Sequence, residues 1–320
     1  MKKLTLIFVC IALCILSATG LVACNGPKQS DNLADKGNWK VTSPDQTICT
    51  ELTMDAYGKL TYGVTKNGKT VVGKSSLGFD IEEDDLSMTI VDNVSQKKVQ
   101  GEYENISGKV KKVVYDANET TITLKAWEFY LDVIMRVYDD GYAFRYVVRR
   151  TDGASGVMTV KSEDTTFAVP QNATMWSQEY VTNFGGKNCF SYETSYQART
   201  VSELTDAQYV AMPLLYNVPD SEYYSLIMES HLVGSGFYGS FLKIKDGDNG
   251  SGVLQTVHTP AGIKLDDNKV SYPFNSPWRV GIVGDMATVN TSELVEKVYD
   301  NVEYWKPDDY ESLTAEEKET

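Results

Sequence analysis

VIMRVYDDGYAFRYVVR, residues 133–149, is the stretch whose reading decides the fold. Val133, Met135 and Val137 alternate with other residues before Asp140-Gly141, and Tyr142, Phe144 and Tyr146 do so after it. Side chains two apart share one face of a strand, so each set lines a single sheet face. Asp140-Gly141 between the two runs predicts a β-hairpin closed by a tight type I′ turn, which needs φ > 0 at its centre. Arg136 and Arg145 then fall among the polar or paired positions of the ladder.

Working outward, the same strand pattern recurs in both directions. Cys49 to Met54, Lys59 to Thr65, Thr70 to Gly73, Leu86 to Val91, Lys97 to Tyr103, Val110 to Tyr115 and Thr120 to Ala126 all read as strands. Asn67-Gly68 between two of these runs is a strong hairpin signal. Beyond the central hairpin, strands are expected at Thr165 to Val169, Ala207 to Leu215, Tyr223 to Met228, Gly239 to Ile244, Val253 to His258 and Arg279 to Val283. A short C-terminal helix is expected over Thr291 to Val298, capped by Thr291 or Ser292, with Leu294, Val295 and Val298 as its apolar stripe. No βαβ alternation appears. The class is all-β: a large antiparallel sandwich of two packed sheets.

The 320 residues carry 44 acidic against 30 basic side chains, a net charge of −14. A field of that sign repels phosphate backbones and argues against nucleic acid as a partner. At the amino terminus, Lys2 and Lys3 precede an apolar run from Leu4 to Leu16, and Leu21-Val22-Ala23-Cys24 closes it. This reads as an export signal over residues 1–23 that ends in a lipoprotein box. Cys24 is the expected lipidation site, residues 24–37 a flexible tether, and the destination the periplasmic or cell-surface side of a membrane. An uncleaved membrane helix is the competing reading. Only Cys49 and Cys189 then remain in the body, and their spacing has no metal pattern.

The residues Gln171 to Thr200 are less regular and rich in aromatics, including Trp176, Tyr192 and Tyr196. Such stretches at the rim of a rigid sheet are common places for ligand sites. Asp246 to Gly250 lacks the ligand and glycine spacing of an EF-hand and reads as a turn. No GxSxG, HExxH, P-loop or GxGxxG occurs. With 44 acidic residues, spacing alone singles out no facing carboxylate pair of the glycosidase kind.

An ordered set of motifs resembles a known family. Leu60-Thr61-Tyr62, Asn67-Gly68-Lys69, Ser76-Leu77-Gly78, Tyr138 to Tyr146, and Ser276-Pro277-Trp278-Arg279-Val280 together look like the amino-terminal domain of glycoside hydrolase family 97. The resemblance runs from about Trp39 to Asn301, so residues 38–301 are expected to form one domain. It implies a galactose-mutarotase-like supersandwich that packs on a catalytic (β/α)₈ barrel in exported α-glucosidases or α-galactosidases, many of them calcium-dependent. Val302 to Pro307 is similar to the linker into that barrel, so residues 302–320 are expected to be a truncated linker and the catalytic carboxylates map onto no residue here. The resemblance also implies that Glu193, in Tyr192-Glu193-Thr194, reaches the barrel and helps to bind calcium beside an α-linked oligosaccharide. Tyr192 and Trp176 are the further substrate-binding candidates. Two other functions are weighed: a sugar epimerase using His231, His258 and Glu193, and a surface lipoprotein that binds carbohydrate or serves as an adhesin-like structural protein.

Overall fold

The computed structural model describes residues 33–105, 108–180, 183–184, 187–188, 194–232, 239–258, 268–299 and 314. Among them, two large antiparallel sheets dominate. The nine-stranded sheet begins with Asn38–Thr42, Ile48–Met54, Leu60–Lys66 and Lys69–Leu77 in order, then continues through Thr166–Ala168, Val253–Val257 and Phe241–Ile244. The ten-stranded sheet has Tyr224–Ser230, Trp278–Gly284, Gly141–Arg150 and Phe129–Tyr138 at its centre. Lys112–Lys125 and Ile90–Glu104 complete one side of it. A three-stranded sheet, with Gly156–Glu163 as its middle strand, lies beside these two. The expected sandwich is present.

The quoted hairpin occupies the middle of the ten-stranded sheet, with Val133 opposite Tyr146 and Met135 opposite Phe144. Val133, Met135, Val137, Tyr142, Phe144 and Tyr146 are all buried in the main core. Across the gap they meet the nine-stranded sheet: the Phe144 ring lies 5.2 Å from Tyr62 and 6.1 Å from Phe167. Tilted and edge-on ring pairs at such separations add to the stabilisation that burial itself gives.

The opposite face of this sheet is also covered. Tyr138, Ala143, Trp278, Val280 and Ile282 form a second core with Val289, Leu294 and Val298. Period two explains the division in Trp278–Gly284: Trp278, Val280 and Ile282 point to the second core, while Arg279 and Val283 point to the first. The Trp278 ring is flanked by two guanidinium groups, Arg136 at 4.8 Å and Arg145 at 4.5 Å. Arg136 also donates to Glu119 at 2.6 Å. These cations therefore sit at paired positions, as the pattern suggests.

Several details differ from the sequence reading. The hairpin turn is Asp139-Asp140, because Tyr138 already pairs with Gly141, and neither aspartate takes a positive φ. It is not type I′. Gly141 is required by crowding instead: a Cβ there would strike the Gly281 carbonyl oxygen and come within 2.6 Å of Leu294 Cδ2. Asn67-Gly68, with φ of 48° and 77°, does make the expected tight turn. The runs 86–91 and 97–103 merge into one strand, Ile90–Glu104, as do 110–115 and 120–126 in Lys112–Lys125. Ala207 to Leu215 breaks at Pro213, which has no N–H for a ladder, into Tyr209–Val210 and Leu214–Asn217 in different sheets.

The single expected helix over 291–298 is two shorter ones, Met286–Thr291 and Leu294–Lys297. Asp285 caps the first by accepting from the Thr288 amide at 2.7 Å. Asp246 to Gly250 forms turns, with positive φ at Gly247 and Gly250. Cys49 is a free, half-buried thiol, and Cys189 lies outside the described residues.

Truncating Phe144 to alanine removes the ring through which the hairpin meets Tyr62 and Phe167. Phe144→Ala is expected to cost about 3–5 kcal/mol in denaturant-induced unfolding. A change within error would show that this ring does not join the sheets.

Candidate functional site

Four titratable side chains converge inside the sandwich from distant parts of the chain: Glu163, Glu229, His258 and Arg279. Arg279 and Glu229 are directly opposite one another on adjacent antiparallel strands, so both reach the same face. His258 follows Val253–Val257, whose Leu254 and Thr256 are buried, and continues their alternation inward.

Glu163 needs a further device. Met158 and Val160 point inward, and strict alternation would put Ser162 inside and leave Glu163 outside. The register against Phe79–Ile81 shifts between Val160 and Ser162. The extra residue, Lys161, is exposed, and the bulge reverses the parity so that Glu163 is buried.

Arg279 then closes the cluster. Its Nε donates to Glu163 Oε1 at 2.9 Å and its Nη2 to Oε2 at 2.5 Å, a bidentate fork. Its Nη1 donates to Glu229 Oε1. Glu229 in addition accepts from the Ser240 amide at 3.0 Å and from Ser240 Oγ at 2.7 Å. His258 Nε2 lies 3.2 Å from Glu163 Oε2. Burial by itself would raise the Glu163 carboxyl, but the charge and hydrogen bonds of Arg279, with those of His258, hold it well below the usual carboxylate range. Burial would likewise lower the Arg279 guanidinium, and the charges of Glu163 and Glu229 outweigh it and raise the group.

Such a set is suited to holding strands rather than to moving protons. A general acid must keep its proton near neutral pH, and Glu163 is held in the opposite state. Both carboxylates are also committed to one guanidinium. The arrangement acts as an electrostatic clamp joining Gly156–Glu163 to the two central strands of the large sheet.

The sequence-derived candidates are placed as follows. Trp176 lies on Thr174–Ser177, half-buried, with its ring 6.1 Å from that of Tyr224. Glu193, Tyr192 and Cys24 lie outside the described residues. Thr194, directly after Glu193, is fixed to the edge of the nine-stranded sheet: its Oγ1 donates to the Glu179 carbonyl at 2.7 Å, and its own carbonyl accepts from Gln178 at 2.5 Å. His231 stacks on Tyr299 at 4.8 Å, on the side of the second core, while His258 faces Glu163 in the interior. The two imidazoles of the epimerase reading are thus in different layers. Among the described residues, no three His, Cys, Asp or Glu side chains converge to hold a metal ion.

The clamp follows from no motif of fixed spacing. Its clearest trace in the sequence is Arg279, a charge within the otherwise apolar Trp278 to Val283.

Comparison with known proteins agrees with this architecture. A family model described as Glycosyl-hydrolase 97 N-terminal matches residues 41–300. A probable retaining alpha-galactosidase of Streptomyces bingchenggensis (strain BCW-1) is 30% identical over 270 residues, covering 82% of this chain and 38% of that protein. A solved beta-arabinopyranosidase superposes with a TM-score of 0.67 and 28% identity, over 77% of this chain and 40% of that one. A Glycoside Hydrolase Family 97 enzyme of Pseudoalteromonas sp. strain K8, in complex with panose, shares the fold with a TM-score of 0.66 at 24% identity, over 80% of this chain and 37% of that one. The chain therefore spans about two-fifths of the length of these relatives.

The clamp has a pH signature. Because folding depresses the Glu163 carboxyl, its contribution is complete above the ordinary glutamate value of 4.5 and is lost as pH falls below it toward the folded value. Glu163→Gln is expected to lower stability at neutral pH and to flatten the decline on acidification. An acid limb of unchanged slope in thermal melts from pH 7 downward would contradict the assignment.

Proposed function

Since the chain belongs to glycoside hydrolase family 97 through that family's amino-terminal domain, we propose that it is the β-sandwich part of an exported α-glycosidase, working on α-galactosides or α-glucosides together with a (β/α)₈ barrel. The observation that carries this reading is the unbroken family match over residues 41–300. The names of the relatives favour the galactoside arm. One is a probable retaining alpha-galactosidase and another a beta-arabinopyranosidase, and both are more similar in sequence than the panose-bound enzyme.

In this reading the sandwich supplies binding and positioning, and the carboxylates that cleave the glycosidic bond come from the barrel. The clamp's own chemistry supports that division, since the buried Glu163 and the largely covered Glu229 are both tied to Arg279. Glu193 is the residue through which the sandwich would reach the shared site. Calcium takes six to eight oxygen ligands, so one carboxylate from this chain would need several more from the barrel. Bound there, the ion would supply positive charge beside the sugar. Thr194, held by Gln178 and Glu179, would fix the base of the segment that carries Glu193. The lipid on Cys24 would keep the assembly at a membrane, on the periplasmic or cell-surface side.

The decisive comparison is between the chain alone and the chain joined to a family barrel, assayed with nitrophenyl α-galactoside and α-glucoside. The chain alone is expected to be inactive and to bind calcium weakly or not at all. The joined protein should cleave, and Glu193→Gln should lose most of the calcium affinity and most of the activity. Turnover by the chain alone, abolished by a point substitution in it, would overturn the division of labour; unchanged calcium affinity in the Gln variant would remove Glu193 from the site.

Anchoring has its own test. Cys24→Ala should move the protein to the soluble fraction, because each acyl methylene buried in the bilayer contributes about 0.8 kcal/mol. A variant that stays in the membrane through a carbonate wash would show that the apolar run itself spans the bilayer.

A further inference from the structure

Four large apolar side chains of neighbouring turns and strand ends are left in water. Tyr57 is 88% exposed, Trp127 85%, Met88 69% and Ile90 68%. Isolated exposed apolar residues are ordinary, but these belong to neighbouring turns and strand ends. A Cβ on Gly58 would lie 2.9 Å from the Thr89 carbonyl oxygen, which brings the Tyr57 turn against Met88 and Ile90. Ile90 in turn pairs with Lys125, two residues before Trp127.

Chain neighbours of three of these side chains, Gly58, Ser87 and Thr89, line a cleft of about 770 Å³, within the range of small-ligand sites. Leu77, Phe79 and Leu131 contribute apolar floor, while Asp80, Glu82, Asp84, Asp85 and Asp164 contribute carboxylates. Three lysines, Lys59, Lys161 and Lys245, also line it. Gly58 and Lys59 at one lip directly follow Tyr57. Asp84 at the other lip accepts from the Glu128 amide at 2.7 Å and the Phe129 amide at 3.1 Å, and so fixes the turn that presents Trp127. Asp55 does the same for Tyr57, accepting from the amides of Tyr57 and Lys59, both at 2.9 Å. The two aromatic rings are therefore held outward by turns that are already formed, which lowers the ordering cost of binding.

We infer that this cleft is a sugar-binding site and that its ligand is a neutral α-linked oligosaccharide. The two rings offer apolar faces for the C–H face of a pyranose, and the carboxylates accept hydrogen bonds from its hydroxyls. Five carboxylates against three lysines disfavour phosphorylated, sulfated or uronic ligands. A flat protein interface would have less use for a polar, carboxylate-walled hollow between its apolar anchors. The α linkage, but not the cleft itself, rests on the proposed glycosidase role.

Titration calorimetry on the full chain, with stachyose and with maltohexaose as probes and an oligogalacturonate as the charged control, tests the site. At least one neutral probe should bind and the oligogalacturonate should not. Trp127→Ala and Tyr57→Ala should each weaken binding by about tenfold or more, with melting temperatures unchanged because both rings lie in solvent. Failure of both neutral probes to bind, equal binding of the oligogalacturonate, or full affinity in both variants would overturn the inference. So would a Trp127→Ala variant that binds sugar normally yet loses association with a family barrel, since the patch would then be a protein interface. A joined protein that fails to cleave while Trp127-dependent binding persists would count against the catalytic role alone.

Discussion

A guanidinium buried between two carboxylates is the constraint around which the interior is arranged. Arg279 lies at the start of the strand that is covered on both faces, and it faces Glu229 on the neighbouring strand and Glu163 from the side sheet. Removing charge from water is costly, and only close pairing with further hydrogen bonds offsets it. Each member here has that pairing, with Ser240 and His258 contributing at the margins. The clamp is therefore tolerant of nothing that removes one member alone. It also gives the bulge at Lys161 a role: without it Glu163 would turn outward and the guanidinium would lose its fork.

The second organising feature is that the ten-stranded sheet is buried on both sides at its centre. One face meets the nine-stranded sheet through Phe144, Tyr146 and Ile227, and the other meets the two short helices through Ala143, Val280 and Ile282. A sheet covered twice makes a stiff base, while the edge near Thr194 and the turns at Tyr57 and Trp127 stay at the periphery. Rigid centre and functional rim is the usual division of labour in sheet proteins.

Much of the fold was legible because period-two alternation survives wherever one face is buried. The residues of 133–149 show it, as does the Asn67-Gly68 hairpin. What escaped has physical reasons. The helix Met286–Thr291, six residues long, is too short to display a 3.6-residue period, and the cap at Asp285 is its local sign, whereas Leu294–Lys297 falls within the expected 291–298. The glycine at 141 was read as turn chemistry when its true role is close packing against Gly281 and Leu294, which no local pattern reveals. The clamp was hidden for two reasons: its members lie at 163, 229, 258 and 279, and the bulge makes the alternation around Glu163 point the wrong way. The family resemblance, by contrast, was readable from ordered motifs, since these encode the strands that build the sandwich; Arg279, within the last of them, turns out to be the centre of the clamp.

The central claim, that Arg279 is needed because two carboxylates are buried around it, separates from a mere packing role in one comparison. Equilibrium unfolding of Arg279→Met should be set beside that of the triple variant Arg279→Met, Glu163→Gln, Glu229→Gln. The account predicts a loss of about 3–5 kcal/mol for the single substitution, as for other broken buried ion pairs, and recovery of a substantial part of it in the triple variant, where no carboxylate is left uncompensated. Equal stability of the single and triple variants, or a single variant as stable as the parent chain, would contradict it.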